Sequence, residues 1–246
     1  MKQTSLLANR WRVLSGSWLK VLAMVSMLCD HIAYVVLRFA EHFTVKFPFE
    51  YHDVFLLYSL LRNFGRLAFP LFAFLMVEGF IHTHSRLKYG LCLLLFGLLS
   101  IIPWSLAFFD CFLTLHTLNI FFTLLLGLIA LSAIERWENR NLSGLCLLAV
   151  LILLLTLAHL FHTDYETAGV GFIISLYILR ANPALQAVIG ISIIPVRWKA
   201  GLAFIPINLY NGRRGFIRGP IAKYAFYAFY PIHLLLLYFI REALVA

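Results

Sequence analysis

The stretch LKVLAMVSMLCDHIAYVVL, residues 19–37, is apolar almost throughout, yet it opens on Lys20 and holds Asp30 and His31 in its interior. A run of this length and composition reads as a membrane-spanning helix. Lys20 and His31 are eleven positions apart. At 3.6 residues per turn they return to nearly one face, about 16 Å apart along the axis. The hydrocarbon core of a bilayer is about 30 Å thick, so Lys20 marks one interface and His31 lies near the midplane. Ionisable groups at that depth are rare and costly, and they read as functional.

The rest of the chain repeats the apolar character of that stretch. Of 246 residues, 62% are hydrophobic and 13% charged, against about 25% charged in soluble domains; mean hydropathy is +0.89. The expectation is an all-α, polytopic integral membrane protein with about 8–10 transmembrane helices, organised as one domain over 1–246. The spans fall near 18–40, 54–82, 88–109, 115–134, 143–162, 168–180, 184–196, 200–210 and 223–241. The second is interrupted by RNFGR at 62–66. The N-terminal apolar run is too long for a signal peptide and has no small-residue cleavage site after it, so it reads as a retained helix. Cys29, Cys92, Cys111 and Cys146 lack any metal-site spacing and read as small core residues. The net charge of +9 sits mostly in short loops beside helices. That is a topology signal and argues against nucleic acid as partner.

Lys2, Arg10, Arg12 and Lys20 place the N-terminus in the cytoplasm, and the acidic loop at 41–53 outside. Arg86 and Lys88, Arg136 and Arg140, Arg180, and the loop NGRRGFIR at 211–218 then fall inside. Arg197 and Lys199 fall outside, against the rule, which suggests a re-entrant pair of short spans near 184–210.

With that topology, polar residues gather at common depths. The last span opens at Lys223 and reaches His233 about 15 Å later, level with His31; Pro231 between them is expected to kink the helix. Arg62 and Arg66 enter the outer half of the second span, spaced i,i+4. Asp30 points about 100° away from His31 on its helix, so it is expected to pair with a cation on another helix, with Arg66 a candidate. His116 and Asn119 lie toward the outer surface, as do Asp164 and Tyr165 in the loop that follows the fifth span. Glu78 and His82, four apart near the inner end of span two, read as structural glue.

Four stretches together resemble the TraX family: LKVLAMVSMLCDHIAYV (19–35), LRNFGRLAFPLFAFLMVEGFIHT (61–83), YNGRRG (210–215) and KYAFYAFYPIHLLLLY (223–238). Pro103, the run Asn119-Ile-Phe-Phe-Thr123 and Asp164-Tyr165 extend the likeness. That family is named for a conjugative-plasmid protein implicated in N-terminal acetylation of pilin. It is similar in turn to acyltransferase-3 proteins and the heparan-glucosaminide acetyltransferase. Acyltransferase-3 proteins carry a basic residue and a histidine with ten residues between them in their first helix, a pattern matched by Lys20 and His31. Arg62 and Arg66 resemble their R-x-x-R motif only loosely, and no role is carried over.

The resemblance implies a multi-pass acetyltransferase of the bacterial cytoplasmic membrane, with acetyl-CoA as acyl donor. Its acceptor would be an extracytoplasmic hydroxyl or amine on a glycan, lipid or peptide. Lys20, Arg86, Lys88, Arg213, Arg214 and Lys223 are then the candidate contacts to CoA phosphates. His31, with Asp30, Arg66 and His233, forms the candidate catalytic group: His31 as general base or acyl carrier, Arg66 stabilising an oxyanion or holding Asp30. Arg62, His116, Asn119, Asp164 and Tyr165 line the acceptor's path. Two other classes suit buried polar groups in broken spans: a small-molecule secondary transporter, and a non-catalytic scaffold for envelope or pilus assembly.

Overall fold

The computed structural model describes residues 11–42, 51–194 and 197–245. Lys2, Arg10 and most of the acidic loop at 41–53 lie outside the described residues, as do the side chains of Glu41 and Arg197. Among the described residues every regular element is helical, in keeping with the apolar sequence. α1 spans Gly16–His31 and passes without a gap into a π-helical turn, Ile32–Val36, and a 3-10 segment, Leu37–His42. α2 (Tyr51–Gly65) and α3 (Ala68–His82) follow, then α4 (Arg86–Leu99) and α5 (Ile101–Phe109). After them come α6 (Ile120–Glu138), α7 (Gly144–Leu160), α8 (Glu166–Ile178) and α9 (Pro183–Ile193). Two five-residue helices, α10 (Arg197–Gly201) and α11 (Phe204–Asn208), lead to the long α12 (Gly219–Val245).

Four described stretches are long and apolar enough to cross a membrane: Gly16–Ala40, His52–His82, Ile120–Glu138 and Gly219–Val245. The pair α4 and α5, bent by 44°, makes a fifth. The protein is therefore all-α and polytopic. α7, α8 and α9 are apolar but shorter. Thirteen residues, as in α8, rise about 20 Å, short of a core of about 30 Å. The apolar stretches expected at 168–180, 184–196 and 200–210 are thus helical, but as short pieces.

The chain gathers into two compact units, Met1–Leu75 with Trp198–Ala246, and Met76–Arg197. In the first, α1 packs along α2, and the π-turn packs against both α2 and α12. The second centres on α6, which packs against α4, α7 and α8. Gly127 of α6 lies against Ile173, where a Cβ would come closer than 3.0 Å. Small residues continue the seam: Ala130 and Ala158 are fully buried beside Leu154 and Val170.

Two details of the first unit set the height of its polar residues. At the N-terminal end of α1, the Gly16 and Ser17 N–H groups donate to the carbonyls of Arg213 and Arg214 at 2.8 and 2.9 Å. A helix start leaves such donors without intrahelical acceptors, so loop 211–218 acts as the cap. The Ser17 hydroxyl donates to Arg214 O and accepts from Ile217 N–H at 2.7 Å. Gly215, at φ +87°, sits so close to Ser15 and Ser17 that a side chain would collide with both hydroxyls. Leu14 and Asn211 add backbone bonds on the same rim.

Half-way along α1, the RNFGR interruption docks. α2 ends at Gly65, and Arg66 and Leu67 form a turn held by i→i−3 bonds to Asn63 and Phe64. The buried Ser26 hydroxyl is within hydrogen-bonding range of both carbonyls exposed there, Phe64 O at 2.8 Å and Gly65 O at 3.2 Å. Lys199 donates to Asn63 Oδ1 at 2.5 Å. The two short helices α10 and α11 thus carry the chain from the level of the break to Tyr210, which pairs with Leu14.

Candidate functional site

α1 delivers His31 as its last α-helical residue, where the helix widens into the π-turn. Such π-bulges recur at functional sites. α12 delivers His233, two residues past Pro231. The two side chains meet, 202 residues apart in sequence, with His31 Nδ1 and His233 Nε2 separated by 2.6 Å. Both rings are buried, 8% and 4% exposed. The ring planes lie within 3° of parallel with centroids 4.9 Å apart. That spacing is the N···N distance plus two ring radii, so the imidazoles lie edge to edge, joined through their nitrogens.

The neighbouring carbonyl fixes the proton positions. His233 Nδ1 is 2.6 Å from Phe229 O, and a carbonyl only accepts, so Nδ1 carries the hydrogen. A neutral His233 then offers a lone pair at Nε2, which takes the hydrogen from His31 Nδ1. His31 is left with its lone pair on Nε2. The chain of bonds therefore runs from His31 through His233 to the backbone of α12. Tyr230 stands edge-on to both rings, at centroid distances of 6.0 and 5.8 Å.

Asp30 pairs with Arg62, not with Arg66: Arg62 Nη1 donates to Oδ2 at 2.6 Å. The helix break explains the difference. Gly65 ends α2, so Arg62 and Arg66 do not share a helical face, and Arg62 alone is carried across on α2. Gly65 lies so close to Asp30 that a Cβ there would collide with the carboxylate. Arg66, in the turn, stays within electrostatic reach of Asp30, and Arg62 within reach of His31. Arg62 also stands over the Tyr34 ring at 5.0 Å.

Toward the other end of α1, Lys20 is half-buried, its ammonium over the Phe226 ring at 5.3 Å. Arg213, Arg214 and Lys223 carry exposed side chains. Their backbone and neighbours are ordered by the cap, while the cationic ends stay accessible. The first unit thus stacks an exposed basic rim, a buried histidine pair and an arginine-carboxylate pair along one helix.

The other candidates lie in the second unit. Arg86 is engaged with Glu135 Oε1 at 2.8 Å, the Thr83 carbonyl and the Phe80 ring. Lys88 is exposed. His116 is exposed too, its N–H donated to Thr114 Oγ1. Asn119 is fully buried and caps α6: Oδ1 accepts from Phe121 N–H, and Nδ2 donates to Gly97 O at 2.9 Å. Asp164 uses its backbone, accepting from the Thr123 hydroxyl and donating to Leu118 O. Tyr165 adopts φ +65° at the start of α8. Glu78 and His82 form the expected i,i+4 pair at 3.6 Å. At the start of α8, Glu166 bridges His159 and His162 at 3.1 Å each, and the bonds from His162 and His159 hold its carboxyl below the usual glutamate range. Among the described residues, no group of three or more His, Cys, Asp or Glu is arranged to hold a metal ion.

Sequence reasoning missed Ser17, Ser26, Tyr34 and Tyr230. Only Tyr230 carried a signal, being three residues before His233 on the same helix face.

The family described as "TraX protein" matches residues 15–241, crossing both units. A probable fimbrial assembly protein FimC, serogroup H1, of Dichelobacter nodosus is 30% identical over 247 residues. That alignment covers 91% of this chain and 94% of the relative. No solved structure matches the chain.

Proposed function

The chain belongs to the TraX family, and from that premise we propose that it is a membrane acyltransferase whose catalytic centre is the His31–His233 pair. The observation that carries the reading is the buried 2.6 Å contact between the two imidazoles, anchored to the Phe229 carbonyl. An apolar bundle has no structural need for two hydrogen-bonded histidines, and such groups inside a membrane mark chemistry or transport.

The donor is an acyl-CoA, with acetyl-CoA the first candidate. Its phosphates bind the exposed rim of Arg213, Arg214 and Lys223, with Lys20 behind them, by charge-assisted bonds. The pantetheine arm then follows α1 inward to His31. Arg86, bound to Glu135, is less suited to this role than the rim. An acceptor hydroxyl or amine reaches His31 from the Arg62 side. His31 Nε2 takes the acceptor proton as the acceptor heteroatom bonds to the thioester carbonyl. The tetrahedral intermediate expels the CoA thiolate, breaking the C–S bond, and the proton passes from His31 to that sulfur. The imidazolium formed in between is stabilised by its hydrogen bond to His233, which leans on the α12 backbone.

The acceptor is proposed as an extracytoplasmic glycan, lipid or peptide, the protein lying in a bacterial cytoplasmic membrane. The relative's name, a fimbrial assembly protein, favours a pilus-related acceptor, and it equally suits a scaffold without catalysis. One assay separates these. The full chain in lipid nanodiscs is given acetyl-CoA and envelope extract, and release of free CoA thiol is followed. Wild type turns over, and His31→Ala falls by about 10²–10⁴ while keeping its helical circular dichroism. Full turnover by a folded His31→Ala would overturn the catalytic assignment. No turnover by wild type, with pilus assembly unaffected by His31→Ala, would identify a scaffold.

A further inference from the structure

We infer that the α7 face of the second unit fits a locally thinned bilayer, and that its partner is a layer of phospholipids with short acyl chains. The inference rests on the spacing of polar layers in that unit and not on the acyltransferase reading.

Three neighbouring helices give nearly the same height. Sixteen positions separate Asn119 from Glu135 along α6 and Ser143 from His159 along α7, and fourteen separate Glu166 from Arg180 along α8. At 1.5 Å per residue these are about 24, 24 and 21 Å, and any tilt only lowers them. A hydrocarbon core is about 30 Å thick, so the shortfall is about 6–9 Å. α9, at eleven residues, is shorter still.

The layers are tied at both ends, so no helix slides to make up the difference. At one end Tyr177 donates to Glu138 Oε2 at 3.2 Å, and Arg86 holds Glu135 at 2.8 Å. Trp137 stands exposed there, a side chain suited to the membrane interface. At the other end Leu118 bridges Thr163, and the Thr123 hydroxyl donates to Asp164 O. Glu166 joins α8 to the end of α7 through His159 and His162.

The two ends differ in how far their side chains reach. Arg136, Arg140 and Arg180 are exposed, and arginine can extend outward along lipid to the headgroups. His159, His162 and Glu166 have no such reach. Their side chains are 42–64% exposed, and an exposed carboxylate bonded by two histidines belongs in water. Water and headgroups therefore come down to this layer. Leu145, Leu148, Ile152 and Leu153 stand exposed between the layers, so lipid meets α7 directly. α6 also packs against α4, which pairs closely with neither α7 nor α8. That side keeps full height: Arg86 to Phe109 rises about 30 Å even with its 44° bend, and Phe112 and Leu113 are exposed beyond it. The thinning is confined to the α7 side.

Lipid selection at α7 tests this. In the full chain, Cys29, Cys92, Cys111 and Cys146 are replaced by alanine and a bimane label is placed on Ile152→Cys. The protein is reconstituted in vesicles of dimyristoleoyl phosphatidylcholine mixed with dibrominated dioleoyl phosphatidylcholine, whose bromines quench the label. Quenching is expected to fall below the value set by mole fraction, the short lipid being favoured roughly fivefold as mismatch costs accumulate over several Å. A label on Leu95→Cys of α4, also exposed, is expected to follow the mole fraction. The combined change His159→Leu, His162→Leu and Glu166→Gln removes the polar layer and is expected to abolish the preference at position 152. Helical circular dichroism checks that this variant folds; if it does not, the comparison of positions 152 and 95 decides alone. Quenching at the mole-fraction value at 152, or the same preference at 95, overturns the inference. So does a preference that survives loss of the polar layer in a folded variant, or a label that no lipid quenches because a second copy covers the face.

Discussion

A hydrogen bond between two imidazoles has a direction only when something decides which nitrogen carries the proton. At position 233 the Phe229 carbonyl decides it, and His31 inherits the consequence through its own Nδ1. In the proposed reaction His233 is thus a positioning residue, setting the tautomer of His31 rather than meeting the substrate. His233→Ala is expected to lower kcat by roughly 10–100-fold, as loss of an orienting partner does at other sites, with the KM for acetyl-CoA little changed. His233→Gln, whose amide can accept from His31, should recover part of the loss. A KM effect as large as the kcat effect would show that His233 binds donor instead. Equal depth of the two histidines was legible from Lys20 and Lys223, because helix rise converts residue number into height. The bond between them was not, since rotation of each helix about its axis is set by packing. Asp30 does pair with a cation on another helix, but with Arg62 rather than the candidate Arg66, because the helix stops at Gly65 and carries Arg62 across.

The element that makes the site is the broken second span. RNFGR was visible as an interruption because two charges, an amide and a glycine stand inside an apolar run. Its use was not visible. The broken end presents two carbonyls to Ser26 and brings Gly65 against Asp30, one turn from His31. Gly65→Ala is expected to destabilise the protein by about 1–3 kcal/mol, the usual cost of forcing a methyl into a filled contact. Ser26→Ala should cost about 1 kcal/mol through the Gly65 carbonyl, because Phe64 O keeps its bond from Leu67 N–H. Thermal unfolding in nanodiscs measures both, and Gly65→Ala as stable as wild type would show that the two helices separate freely. The shorter helices after α7 were the least legible elements. Their apolar content matches that of the spans, and only caps such as Asn182 with Pro183 show where one of them begins.

Across the whole molecule, the cap of α1 by loop 211–218 places the N-terminal end and that loop on one face of the membrane, as the basic residues suggested. Replacing the free thiols Cys29, Cys92, Cys111 and Cys146 and introducing Arg12→Cys, Arg213→Cys or Arg38→Cys tests this. An impermeant maleimide added to intact cells should treat positions 12 and 213 alike and position 38 oppositely. Different labelling of 12 and 213 would contradict the cap.

That same cap bears on biosynthesis. Gly16 and Ser17 wait for acceptors nearly two hundred residues downstream, and His31 waits for a partner 202 residues away. At 5–20 residues per second, translation alone separates the two histidines by roughly 10–40 s. Through that interval the first helix sits in the bilayer with its start uncapped and its histidine unmatched. The histidine pair forms only when the final helix inserts, so on the proposed reading a nascent or truncated chain lacks its catalytic centre.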